Sequence, residues 1–300
     1  MWRCSMGKQV TLVLGGGAAR GLAHIGVIRV LEDEGFDISA ITGTSMGALV
    51  GGIYAAGKLD KYTAWVTSLT KKDVIQYLDI SFSAKSGILK GDLIIEALRD
   101  FVGDISIENL PIPFLAVATD LKARKEVWIT KGDLFDAIRA SIAVPGVFTP
   151  YRIAGRWMVD GGLLNPVPVT PAAQTLSGIT IAVDVTGSRS ANPFGEIEST
   201  NHEHPPQLRK KIDDFLDSIQ EYLGTDSPRE DDHPTLSDVL INSFETMQET
   251  LSRYKLAANP PDLLISIPRN ICAAHEFFRA PELIEAGAWW THRALETAEI

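Results

Sequence analysis

Gly43-Thr44-Ser45-Met46-Gly47 sets a serine between two glycines, after the short strand-like segment Ala40–Thr42 and before the helical pattern Met46–Ala56. In that setting a sharp strand-to-helix turn can present a serine hydroxyl as a nucleophile, because residues without side chains let the turn pass close to its neighbours. An ordinary tight turn or a helix N-cap uses the same residue types, so the string alone does not decide. A second constellation, Gly15-Gly16-Gly17-Ala18-Ala19-Arg20-Gly21, joins a first strand to a first helix. Its backbone N–H groups could cradle a dinucleotide pyrophosphate or hold the oxyanion of an acyl-transfer reaction. A dinucleotide site also wants an acidic residue after the second strand; Ser45 stands there instead, which favours the oxyanion hole.

The third constellation is Val159-Asp160-Gly161-Gly162, followed by Leu163-Leu164-Asn165-Pro166-Val167-Pro168. Alone it reads as an Asx-turn at a strand end. A serine nucleophile needs a proton acceptor, and the histidines offer little. His202, His204 and His233 fall in a polar stretch, His275 and His292 lie near the C-terminus, and His24 on the first helix reads as a packing or hydrogen-bonding residue.

These residues must be held by regular elements. Val10–Leu14 is a continuous apolar run ending in glycines, the pattern of a buried parallel strand. Phe114–Thr119, Glu126–Thr130, Tyr151–Val159, Ile179–Val185 and Leu263–Ile267 read as further strands. Helical patterns at Leu22–Leu31, Leu93–Phe101, Leu134–Ile142, Thr235–Tyr254 and Pro281–Ala294 lie between or after them, and Gly35 marks the first helix's end. The expectation is a three-layer α/β/α domain with a central, mostly parallel sheet, spanning residues 1–300. Its motif core is 9–185, a polar insertion occupies about 187–234 around the amphipathic segment Leu208–Leu223, and helical and strand elements fill 235–300.

Taken together, the glycine loop, the Ser45 turn and the Asp160-Gly161-Gly162 turn resemble, in order, the three motifs of the patatin-like phospholipase family. The similarity extends to Leu22-Ala23-His24-Ile25-Gly26-Val27, to Ala140–Phe148 and to Asn165-Pro166-Val167-Pro168, covering roughly residues 9–185. The resemblance implies a Ser–Asp dyad without histidine: Ser45 as nucleophile, Asp160 as general base, and backbone groups of Gly16, Gly17 and Ala18 as the oxyanion hole. Gly15, Arg20, Gly21, Gly43, Gly47, Gly161 and Gly162 would support these motifs. The family has glycine where this chain has Ala18. The resemblance further implies a fatty-acyl ester substrate, a phospholipid or lysophospholipid, with no cofactor or metal. A carboxylate acting alone as base requires an apolar site that lifts its pKa.

Composition agrees with a globular enzyme, at 45% hydrophobic and 22% charged residues. The net charge of -10, with no Lys/Arg block that compensates for it, argues against nucleic-acid binding. Contact with a membrane surface would then be transient and would come from exposed apolar residues or the active-site mouth rather than from a basic patch. Trp289 and Trp290 could serve as an anchor, although aromatics at such spacing more often pack inward. Arg20 could meet a lipid phosphate or a carboxylate of the protein. Cys4 and Cys272 have no metal-ligand spacing and no export signal is evident, so the expected setting is the cytoplasm, peripheral to a membrane at most. Two rivals stand beside this reading: a Ser-His-Asp esterase for small soluble esters using His275 or His292, and a non-catalytic adaptor that keeps the fold. Oligomeric state is not encoded in any of these features.

Overall fold

The computed structural model describes residues 8–77, 89–172, 178–190 and 236–298. Eight strands share one sheet: β1 (Lys8–Leu14), β2 (Phe36–Thr44), β3 (Phe114–Asp120), β4 (Lys125–Ile129), β5 (Tyr151–Ile153), β6 (Arg156–Asp160), β7 (Ile179–Gly187) and β8 (Leu263–Pro268). The run β3-β2-β1-β7-β8 is parallel throughout, while β4, β5 and β6 are joined by antiparallel pairings. The α-helices of the described residues are α1 (Ala23–Asp33), α2 (Met46–Ala55), α3 (Leu59–Ser68), α4 (Lys71–Tyr77), α5 (Asp92–Val102), α6 (Leu134–Ser141), α7 (Val169–Ala172), α8 (Leu236–Ala258) and α9 (Ala280–Thr297), with short 3-10 turns between some of them.

Side chains on one strand alternate between the two faces of a sheet. In β1, Leu12 and Leu14 enter the larger core with α1 and α2, whereas Val13 enters a second core with Val167, Val169, Ala172 and Ala182. Both faces are therefore covered, which is why β1 reads as an unbroken apolar run. The result is a mainly parallel sheet between helical layers.

One expected strand is two. Tyr151–Val159 folds as the hairpin β5–β6, because Ala154 (φ 47°) and Gly155 (φ 79°) both take the left-handed conformation of a tight two-residue turn. Alanine gives no sequence signal for such a turn. The polar stretch after residue 190, with Leu208–Leu223, His202, His204 and His233, lies outside the described residues, as does Cys4. Among the described residues no helix is long and apolar enough to cross a membrane.

Candidate active site

Ser45 occupies the junction of β2 and α2 at φ 55° and ψ -122°, a conformation that costs a non-glycine residue on the order of 1–3 kcal/mol. The surroundings hold it there. Its N–H donates to Ser141 Oγ (2.9 Å), whose hydroxyl donates in turn to Val117 O (2.6 Å), and its carbonyl accepts from Ala48 and Leu49 N–H. A Cβ on Gly47 would lie 2.1 Å from Leu14 O, and one on Gly43 would lie 2.5 Å from Gly47 O. Either methyl would push α2 off the sheet and open the turn.

Strand β3 brings Asp160 to this turn. One edge of β3 pairs with β4; the other pairs first with β2 and then with β6, so that Val117↔Thr44 and Ala118↔Asp160 are consecutive rungs. The ends of β2 and β6 thus meet head to head, and residues more than a hundred positions apart become neighbours. Asp160 is 1% exposed. Its N–H donates to Ala143 O (2.9 Å) and its Oδ1 accepts from Gly162 N–H (2.6 Å). Oδ2 is buried with no partner at full hydrogen-bond geometry, yet the Ser45 hydroxyl is close enough to act on the carboxylate as a donor and favour its charge. Burial outweighs both donors and lifts the Asp160 pKa to about 7. A carboxyl group in that state can exchange a proton with a neighbouring hydroxyl near neutral pH.

The glycine loop runs directly over Ser45: a Cβ on Gly16 would lie 3.2 Å from the Cβ of Ser45. Its N–H groups are not equivalent. Gly15 N–H donates to Val183 O (3.0 Å), Gly16 N–H to Pro166 O (2.9 Å) and Ala19 N–H to Ala274 O (3.1 Å). Among the described residues no acceptor is bonded to the N–H of Gly17 or Ala18. The Gly16 donor is thus engaged in fixing the loop. Gly21 abuts the Met46 side chain, Gly161 lies over Val117 O, and Gly162 gives its N–H to Asp160.

Residues 12–173 match the patatin-like phospholipase family. The chain belongs to that family. An uncharacterized NTE family protein of Mycobacterium tuberculosis is 41% identical over 99% of this chain and 94% of its own length. Two longer proteins are similar over a part of theirs: lysophospholipase NTE1 of Yarrowia lipolytica, at 31% identity over 64% of this chain and 14% of that protein, and the neuropathy target esterase sws of Drosophila melanogaster, at 32% over 60% and 13%. Membership makes the protein a lipid acyl-ester hydrolase.

In this patatin-like chain Arg20 is tied inward. Its Nε donates to Gly17 O (3.2 Å), and its Nη2 pairs with Glu245 of α8 at 2.6 Å, so of the two roles read from sequence the protein carboxylate has it. His24 is fully buried and donates from Nε2 to Gly15 O at 2.8 Å; burial lowers its pKa to about 4, so it is the neutral imidazole that holds the loop. Among the described residues no histidine joins the partners of the Asp160 carboxyl group, which are Ser45 and Gly162. His292 is half-exposed opposite Glu34. Trp290 packs against the core and its ring meets Trp289 edge-on at 4.7 Å; both rings are half-buried.

Ala18 takes φ 49°, a left-handed conformation that glycine adopts more readily than alanine. Ala18→Gly removes strain of about 1 kcal/mol but adds a similar entropy to the unfolded chain. Urea denaturation of this variant should therefore match the wild type to within about 1 kcal/mol. A larger loss would mean that the methyl group packs usefully.

Ser141 was missed as a site residue. It sits in an apolar stretch at the end of α6, and a serine there signals only that some polar group must be nearby. Ser141→Ala leaves the Ser45 N–H without its acceptor, which should cost about 1–3 kcal/mol of stability and slow fluorophosphonate labelling of Ser45. Labelling at the wild-type rate would show that the turn holds without it.

Proposed function

We propose that the protein cleaves phospholipid or lysophospholipid esters with Ser45 as nucleophile and Asp160 as its base. The observation that carries this reading is the buried encounter of the two side chains, with the carboxyl pKa raised to about 7 and one oxygen open. Ionised Asp160 takes the Ser45 proton as the serine oxygen attacks the ester carbonyl. The oxyanion forms under the glycine loop, where the Gly17 and Ala18 N–H groups are free to donate while Gly16 fixes the loop through Pro166. Asp160 returns the proton to the departing alcohol, leaving an acyl-serine. Water, deprotonated by the same carboxylate, then releases the fatty acid and restores the Ser45 hydroxyl.

Substrate class rests on family membership and on the lysophospholipase name of the Yarrowia relative. The test is a panel of lysophospholipid, diacyl phospholipid, triacylglycerol and short p-nitrophenyl esters, run beside fluorophosphonate labelling. Turnover of lysophospholipid or phospholipid above triacylglycerol is expected. A chain that is neither labelled nor active on any ester would be an adaptor, and loss of turnover in His275→Ala would restore the triad.

A further inference from the structure

Although the sequence contains no long basic run, the fold builds a basic surface from two separate turns. The β3–β4 turn carries Leu121, Lys122 and Arg124, with Lys125 opening β4; the β5–β6 hairpin carries Arg152, Arg156 and Trp157. Leu121 N–H donates to Trp157 O at 3.0 Å and fastens the turns together. All five cations are exposed, and the two apolar side chains among them are among the most exposed large hydrophobics of the described chain, Leu121 at 50% and Trp157 at 52%.

The two acids that adjoin these turns in sequence, Asp120 and Glu126, are both engaged. Asp120 is buried, accepts from the Lys122 and Ala123 N–H groups and faces Arg156 at 3.7 Å. Glu126, next in the chain, is engaged by Lys255 and Asn165. The hairpin is stiff, with its two-residue turn and with the Arg152 guanidinium 5.7 Å from the Trp157 ring. Leu121 and Trp157 lie three residues along their strands from the Ala118↔Asp160 rung, roughly 10 Å at the rise of a β-strand. The patch therefore projects from the end of the sheet that holds Ser45 and Asp160.

We propose that these paired turns seat the protein on a bilayer containing anionic phospholipid, with Trp157 and Leu121 entering the headgroup layer and the five cations against lipid phosphates and carboxylates. A tryptophan and a leucine flanked by cations match a membrane interface, where an amphipathic ring finds both an apolar and a wet side. The overall charge of -10 does not prevent this. At physiological salt charges are screened beyond about 8 Å, so a lipid surface feels the cations on the turns themselves far more than the net charge of the whole chain. Each Lys or Arg near an anionic surface raises partitioning roughly fivefold.

The test uses full-length Ser45→Ala protein, so that binding is read without hydrolysis, and sediments it with vesicles of phosphatidylcholine alone or mixed with phosphatidylserine. Binding to mixed vesicles is expected at low salt and should fall as salt rises. Replacing Lys122, Arg124 and Lys125 together by glutamate should lower it about a hundredfold or more, and Trp157→Ser should lower it again. With Ser45 restored, the same variants should cleave a soluble p-nitrophenyl ester at the wild-type rate and keep the wild-type melting curve. Equal binding to both vesicle types, or binding unchanged by the triple substitution, overturns the inference. A triple variant that instead changes oligomeric state in light scattering assigns the patch to a second copy and also overturns it. Neither result touches the Ser45 reading, whose own failure would appear as wild-type protein that binds vesicles yet hydrolyses nothing.

Discussion

Ser45→Ala is expected to abolish fluorophosphonate labelling and to slow ester cleavage by about 10⁵–10⁶-fold, the scale of loss when a serine nucleophile is removed from a hydrolase. The protein should stay folded. Alanine has no further atom to clash, the turn's hydrogen bonds run through the Ser45 backbone to Ser141, Ala48 and Leu49, and the strained φ of 55° costs alanine much what it costs serine. Loss of the hydroxyl also removes a donor to Asp160, so the carboxyl group simply stays protonated over a wider pH range. Residual turnover would come from the glycine loop alone. Undiminished turnover in this variant would end the proposed mechanism.

Asp160→Asn separates catalysis from stability, and the two effects should have opposite signs. Without a base, kcat should fall about 100- to 10,000-fold with a smaller change in KM. Stability should rise at alkaline pH. Native Asp160 has its pKa lifted from 3.8 to about 7, so between those values the folded protein holds a proton that the unfolded chain has released, and stability falls as pH rises through that window. The penalty at alkaline pH is at most about 4 kcal/mol for such a displacement. Asparagine cannot ionise, keeps the Oδ1 acceptor for Gly162 N–H and offers an amide toward Ser45. Urea denaturation should show the variant more stable than wild type by roughly 1–4 kcal/mol above pH 8, with the gain shrinking toward pH 4. Wild-type kcat/KM should climb through an apparent pKa of about 7 as the base ionises. A variant that is less stable at high pH, or a rate profile flat across neutrality, would mean that Asp160 is not the buried, proton-holding group described.

Much of this was legible before any fold was known. Periodicity and glycine placement located β1, α2, α5, α6 and α9 to within a few residues, because each must show an apolar face to a core, whereas β2 extends from Phe36 to Thr44 around the shorter strand read at Ala40–Thr42. The three motifs carried the family because tight turns and close backbone contacts admit few residue types. Other features have no local signature. The Ala154-Gly155 turn that splits one expected strand depends on an alanine accepting φ 47° under tertiary constraint. The spent Gly16 donor depends on Pro166, and the inward-tied Arg20 on Glu245, each far away along the chain.

Residue types by themselves determined which chemistry was available: a hydroxyl, a carboxyl and a run of main-chain donors, on elements able to hold them. Which groups face one another was decided by the tertiary structure. Consecutive rungs on β3 place Asp160 against the Ser45 turn, burial in the assembled core lifts its proton affinity, and the fastening of Leu121 to Trp157 gathers scattered cations on one surface. Proximity and desolvation are properties of the packed chain, and no local stretch of sequence contains them.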